Sequence, residues 1–490
     1  MTNETVEDDA GDTTNNNNIM ETSSVDKREY KHLKLGGDCG MDVVLISDPT
    51  TDKSAAAMDI GIGQLCDDPT LYQGIAHFLE HMLFIGTEKY PVENAYDSFL
   101  TANGGSSNAF TDLEHTCYYF DVQAEQFEGA FDRFAQCFIA PLFTKTALER
   151  EVLAVDSEHA KNLMQDQWRM YQLSKSKLVE SNGKESLHPF GSFGSGNAKT
   201  LPAVSSSSSA VSVSGEEGKD EEGKDDGSSD VADDGGNVKE EEESDGTHIR
   251  SQLVDFFQQY YRKSVQLYKL VILGRDSIAD LEAMVHRYFD ELIEIFEKQK
   301  ENENDNSAAI TTTTKETLLQ ELYPGPTAWN VPQRLHVVPI SQVHSMDLQF
   351  PIREIQSLWK SKPTRYISHL IGHEGAGSLL SLLKSKQYVT DLYADDASKS
   401  CQEFSIFTIH LEMTELGLQH TDEIVAIIFA YIDLITNNSN TNDSTNEDND
   451  NDNTNTSLKE WIHLEAQTVS EMQFRFLSQR NPMDYVSSVS

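Results

Sequence analysis

Basic charge is what this chain most lacks. Its 490 residues carry 38 Lys and Arg against 81 Asp and Glu, a formal net charge of −43. Neutralising a phosphate backbone takes a basic surface, so the balance argues against a nucleic-acid partner. The deficit is not confined to one tract. Residues 215–245 hold 15 acids and 3 lysines, a net of −12, which leaves −31 of the −43 elsewhere. The folded part is expected to be acidic too, and its field favours basic or neutral partners. Long apolar runs are missing as well. None reaches the roughly 18 residues of a membrane helix, mean hydropathy is −0.49, and the opening "MTNETVEDDAGDTTNNNN" lacks the apolar stretch of a secretory signal. A cytoplasmic location without membrane partners is the resulting expectation. Cysteines are few and scattered: Cys39, Cys66, Cys117, Cys137 and Cys401 show no C-x-x-C spacing. They read as reduced thiols.

What is present divides the chain. A length of 490 exceeds what one core organises, so two domains are expected. Residues 1–24 are polar and expected to be disordered. From 25 to 297 strand and helix patterns alternate, interrupted by a Ser/Gly/acidic insertion over 203–247 that has nothing to bury. Within this block "TALEREVLAVDSEHAKNLMQDQWRMYQL" reads as one long helix over 146–173, free of Gly and Pro. A linker is expected over 298–316. The second block, 317–490, repeats the grammar with strands at "RLHVVPI", "SMDLQFPI" and "EFSIFTIHLEM" and helices between and after them, broken by an Asn/Asp tract at 437–457. The fold class that follows is α+β, two similar domains with helices packed on antiparallel-rich sheets.

The chemistry concentrates at "HFLEH". On a helix His77 and His81 share one face, close enough for both imidazoles to hold one ion. Glu80 projects beside them, within reach of a metal-bound water as general base. A catalytic zinc needs a third protein ligand and an open position. The helix bearing "EREVLAVDSEH" offers Glu151 and Glu158, seven apart and on one face, while Glu149, Asp156 and His159 turn away. Spacing alone leaves open which of the two carboxylates is the ligand and which orients a neighbour.

At these residues the sequence resembles the pitrilysin family of inverted-motif zinc metallopeptidases. "HFLEHMLFIGTEKYPVENAYDSFL", "NGGSSNAFTDLEHTCYYFDV", "EGAFDRFAQCFIAPLF", "REVLAVDSEHAKN", "HPFGSFGSGN" and "SHLIGHEGAGSLLSLLKSK" follow one another as in that family. The resemblance implies one zinc per chain held by His77, His81 and Glu158, Glu80 as the base, and Glu151 as an orienting carboxylate. It implies that Asn108, Ala109 and Phe110 lie on an edge strand that pairs with a peptide substrate, with Phe84 near a side-chain pocket. It also implies a remote site at Gly372 and Glu374 for a substrate's N-terminus. There the sequence departs from the family: "LYADDAS" puts Ala394 and Asp395 where a glycine-rich strand edge is expected.

A second departure is length. The family enzyme has four such domains in two halves around a closed chamber, and its far half supplies an arginine and a tyrosine near the zinc. This chain stops at "RNPMDYVSSVS", which reads as the N-terminal half with an incomplete second domain. The expected function is a zinc endopeptidase acting on small to medium peptides. The alternative is a non-catalytic peptide-binding half. The partners expected are peptide substrates, together with a C-terminal half or a second copy of the chain.

Overall fold

In the computed structural model the described residues are 22–179, 188–201, 246–304, 315–323, 329–395, 401–437, 460–477 and 480–490. The expected acidic insertion and the Asn/Asp tract lie almost wholly outside them, as does the expected tail up to residue 21. Within the rest of that tail Ser23 is buried and donates a hydrogen bond to the carbonyl of Arg475.

Strands β1 (Glu29–Leu35), β2 (Met41–Ser47), β3 (Lys53–Ile60), β4 (Ser106–Thr111), β5 (Thr116–Gln123) and β6 (Tyr268–Gly274) form one sheet in the order β1-β2-β6-β3-β5-β4. All neighbours are antiparallel except β2 and β6. Alternation sorts the side chains between two faces. Val43, Leu45, Ala56, Met58, Tyr118, Phe120, Leu270 and Ile272 enter the main core. Val44, Ile46, Ala55, Ala57, Cys117, Val271 and Leu273 make a smaller cluster on the other face.

The first helices are α1 (Ile75–Leu83), α2 (Ala95–Ala102), α3 (Phe127–Ile139), α4 (Lys145–Leu163), α5 (Asp166–Leu178), α6 (Gly246–Phe256), α7 (Ile278–Asn304) and α8 (Lys315–Leu322). Two expectations are corrected here. The single helix over 146–173 is two, because Gln165 is extended and breaks the run. Asp166 opens the second helix and turns its carboxylate outward to accept from the amides of Ile340 and Ser341. The linker expected from 298 is helical as far as Asn304, and α8 begins at Lys315, so the polar "KQKEN" extends α7 rather than ending it.

A second, antiparallel sheet has the order β7-β9-β8, from β7 (Ser345–Arg353), β8 (Val389–Asp395) and β9 (Phe404–Met413). Helices α9 (Pro363–Ile371), α10 (Leu379–Ser385), α11 (Glu415–Gln419) and α12 (Thr421–Asn437) accompany it, and Leu379, Leu383, Ile409, Leu411, Ile424 and Ile428 share its core. "RLHVVPI" is not a strand. Its end at Ile340 is tied to Asp166 instead of to a sheet. Strand β8 lies where the resemblance implies a strand edge, although alternation alone does not read as a strand there, because Asp391 and Asp395 dilute the β pattern. After α13 (Glu460–Arg475), α14 (Pro482–Val489) returns to the first sheet. Val486 closes its smaller cluster and the Tyr485 hydroxyl meets that of Tyr30 at 2.8 Å. Phe404 and Ile406 also join the main core, so the two blocks interlock.

Candidate metal centre

Helix α1 is set by its start. The Asp67 carboxylate accepts from the amides of Gly74 (2.7 Å) and Ala76 (3.0 Å), satisfying N–H groups that a helix leaves open. Gly74 has a left-handed φ of 91°, and a Cβ there would come within 2.3 Å of the Gly196 nitrogen, so only glycine fits. Ile75, Phe78, Leu79 and Met82 anchor the buried side of the helix. That leaves His77 and His81 on one face, ring centroids 4.8 Å apart. Helix α4 packs against α1 and presents Glu151 and Glu158 to the same face.

His77, His81 and Glu158 are the one group of three donors among the described residues that could hold a metal ion, their ligand atoms all within 4.8 Å of one another. Glu158 Oε2 lies 3.7 Å from His77 Nε2 and 3.6 Å from His81 Nε2. These separations are too long for hydrogen bonds. Two donors each about 2.0–2.2 Å from a tetrahedral ion stand roughly 3.3–3.6 Å apart, so the spacings of Glu158 from the two rings are close to those around a zinc ion. The other ring nitrogens face away from Glu158. His77 Nδ1 donates to the carbonyl of Ser195 at 2.8 Å, and His81 Nδ1 lies 3.5 Å from Glu151. Both rings therefore turn Nε2 inward.

The charges suit a cation. The His81 imidazole beside it, with the charge of His77, holds Glu158 down to about 2. Burial opposes charging of His81, but Glu151 and Glu158 overcome it and lift its pKa to about 9. His81 likewise lowers Glu151, against the effect of burial. Glu80 differs: it is 9% exposed, and burial raises its pKa above the ordinary carboxylate value. Thr111 donates to it at 2.6 Å. Neither that threonine nor the Ser195 carbonyl was among the residues singled out in the sequence. A hydroxyl at the end of an alternating strand was the available sign of the first, whereas a backbone carbonyl leaves none.

The remaining candidates distribute as follows. Asn108, Ala109 and Phe110 lie on β4, at the open edge of the six-stranded sheet. Phe110 is 39% exposed and Asn108 donates to the Tyr119 hydroxyl. Phe84 caps α1 and packs among Tyr96, Tyr118 and Phe134, in the aromatic core. Gly372 ends α9 and Glu374 is exposed in the turn beyond, both beside the second sheet and not in the donor group. Ala394 and Asp395 lie on β8, an edge strand.

The chain is similar to known proteins in sequence and in fold. The family profile described as "Insulinase (Peptidase family M16)" matches residues 42–180, and "Peptidase M16 inactive domain" matches 248–445. Insulin-degrading enzyme of Homo sapiens is 38% identical over 474 residues, covering 96% of this chain and 38% of the relative. The A-factor-processing enzyme of Saccharomyces cerevisiae is 32% identical over 466 residues, covering 95% and 37%. The crystal structure of pitrilysin superposes with a TM-score of 0.67 at 25% identity, over 95% of this chain and 40% of that one. The chain thus spans less than half the length of these relatives. No helix among the described residues is long and apolar enough to cross a membrane. With both profiles, the relatives and the superposed fold in agreement, the chain belongs to peptidase family M16, the insulinase and pitrilysin family.

Proposed function

We propose that the chain is the catalytic portion of a zinc metalloendopeptidase acting on small to medium peptides, with His77, His81 and Glu158 holding one zinc ion. The observation that carries this reading is the three-donor group, with the buried Glu80 beside it and the open edge of β4 joined to Glu80 through Thr111. Zinc bound there polarises the scissile carbonyl and acidifies water. Glu80, its pKa raised by burial, takes the proton of the attacking water and returns it to the leaving amine. Thr111 keeps that carboxylate aimed. The backbone of 108–110 pairs with an extended peptide, and the exposed Phe110 meets its side chains. Glu151 orients His81. Gly372 and Glu374 receive the N-terminus of longer peptides. The five cysteines are unpaired, which suits a reducing, cytoplasmic setting.

A second reading has one observation in its favour. Because the chain covers 38% of the human relative, it could bind peptides but depend on a C-terminal half for cleavage. Zinc content and cleavage of a quenched fluorescent peptide separate the two. One zinc per chain, with turnover reduced about 10²- to 10⁴-fold in Glu80→Gln, is expected of the first. Zinc without turnover in the unaltered chain would leave the second standing. Absence of zinc would overturn the first.

A further inference from the structure

Lys175 is fully buried, an unusual place for a lysine. Its ammonium donates to Gln64 Oε1 at 2.8 Å and lies 4.9 and 5.8 Å from the ring centroids of Tyr171 and Phe190. Gln64 passes the contact on. Its Nε2 donates to the carbonyl of Ser192 at 3.2 Å, and Gln172, one turn before Lys175 on α5, donates to the same carbonyl at 3.1 Å. Two residues further, Gly194 lies so close to the Gln64 side chain that a Cβ would stand 2.1 Å from its Cδ. The amide of Phe193 donates to Gln73 Oε1 at 2.8 Å. The next carbonyl along is that of Ser195, which takes the Nδ1 proton of His77.

The charge has a counterpart. Burial pushes Asp67 up to about 7, and Lys175 is the cation that draws it back toward the ionised form. Asp67 in turn holds the first turn of α1. A buried ammonium and a buried carboxylate thus grip the two structures that aim His77: the segment supplying its acceptor and the helix carrying it.

We propose that Lys175, acting through Gln64 and the 192–195 backbone, is a positioning residue that fixes the tautomer and ring angle of His77 for metal binding. The inference rests on the metal reading above and deepens it. Outer groups that orient a ligand histidine change metal affinity by roughly 10- to 100-fold, and one acting at this remove belongs near the lower bound.

The test uses the 490-residue chain with zinc affinity measured by chelator competition and the visible spectrum of the cobalt-substituted form. Lys175→Met keeps the apolar stem and deletes the ammonium. Gln64→Glu keeps an acceptor for Lys175 but removes the donor to Ser192, so it remains informative if the first variant does not fold. Each is expected to weaken zinc binding about tenfold and to alter the cobalt bands while circular dichroism stays unchanged. A merely structural lysine would lower the melting temperature and leave both readouts of the folded chain alone. Unchanged affinity and spectrum in a folded variant would overturn the inference while leaving the metal reading intact. Failure of the unaltered chain to bind zinc would overturn the metal reading, and the inference with it.

Discussion

Two histidine pairs in this chain are spaced four residues apart, one in each sheet unit, and they end up in different chemistry. His77 and His81 both lie within α1, rings 4.8 Å apart, with Glu151 and Glu158 facing them from α4. His369 sits in the last turn of α9, but His373 falls beyond the helix cap at Gly372, and the rings stand 6.0 Å apart. His373 Nδ1 accepts the amide of Gly375, which folds the imidazole onto its own turn. Glu374 follows in sequence yet is exposed, and among the described residues no carboxylate completes a donor group there. Spacing brings two imidazoles together only while the helix lasts. What makes a site of them is the second helix.

That comparison is broken most severely by removing the facing carboxylate. Glu158→Gln should abolish stoichiometric zinc, since a neutral amide is a poor third ligand and two histidines alone hold the ion weakly. Glu374→Gln should leave one zinc per chain. Metal analysis after dialysis checks both, and zinc lost from the Glu374 variant would mean the second pair is part of a site after all. Next in size is Glu151→Gln. The ring of His81 keeps its place in α1 but loses the anion at Nδ1, so zinc affinity should fall roughly 10- to 100-fold without loss of stoichiometry at saturating metal. Chelator competition reads the difference, and an affinity equal to the unaltered chain would remove Glu151 from the centre.

The sequence made one side of this contrast legible and hid the other. Helical spacing located His77, Glu80 and His81, and a seven-residue interval located Glu151 and Glu158, because all five lie within uninterrupted helices whose period fixes the face. It left undecided which carboxylate faces which nitrogen. That depends on how α4 crosses α1, a tertiary fact. The strands of the first sheet were readable because their apolar residues alternate between two real cores. The break at Gln165 was not, since neither Gly nor Pro marks it, and Asp166 just beyond it bonds to residues 340 and 341, on another part of the chain. "RLHVVPI" failed for the opposite reason: its residues favour a strand, but among the described residues no partner strand pairs with it. Ser195 acts through its backbone carbonyl, which no side-chain pattern reports.

The two units also meet, and a single carboxylate makes the join sensitive to pH. Glu114 lies in the turn after β4, and both its oxygens are 2.9 Å from the amide of Gln402, just before β9. Burial raises its pKa from 4.5 to about 7, with the charges of Asp112 and Glu403 adding to the rise and the Gln402 amide and His115 working against it. A carboxyl that holds its proton more tightly when folded favours the folded state at low pH. Its contribution is complete below about pH 4.5 and is lost as pH climbs toward about 7. Glu114→Gln stays neutral and can still accept from Gln402. The variant should therefore match the unaltered chain at pH 4.5 and exceed it in urea midpoint at pH 7.5, by a stability on the order of 1 kcal/mol once partial solvent screening is allowed for. His115, paired with Asp59 at 2.7 Å, is also raised above its ordinary value and also loses its contribution as pH rises; that pair is common to both proteins, and only the attraction between His115 and Glu114 is lost in the variant. An unaltered chain that instead exceeded the variant at pH 7.5, with the gap closing toward low pH, would show that the ionised carboxylate, and not the protonated one, joins the two sheets. The turn behind the open β4 edge would then be tightened by charge at neutral pH instead of loosened by it.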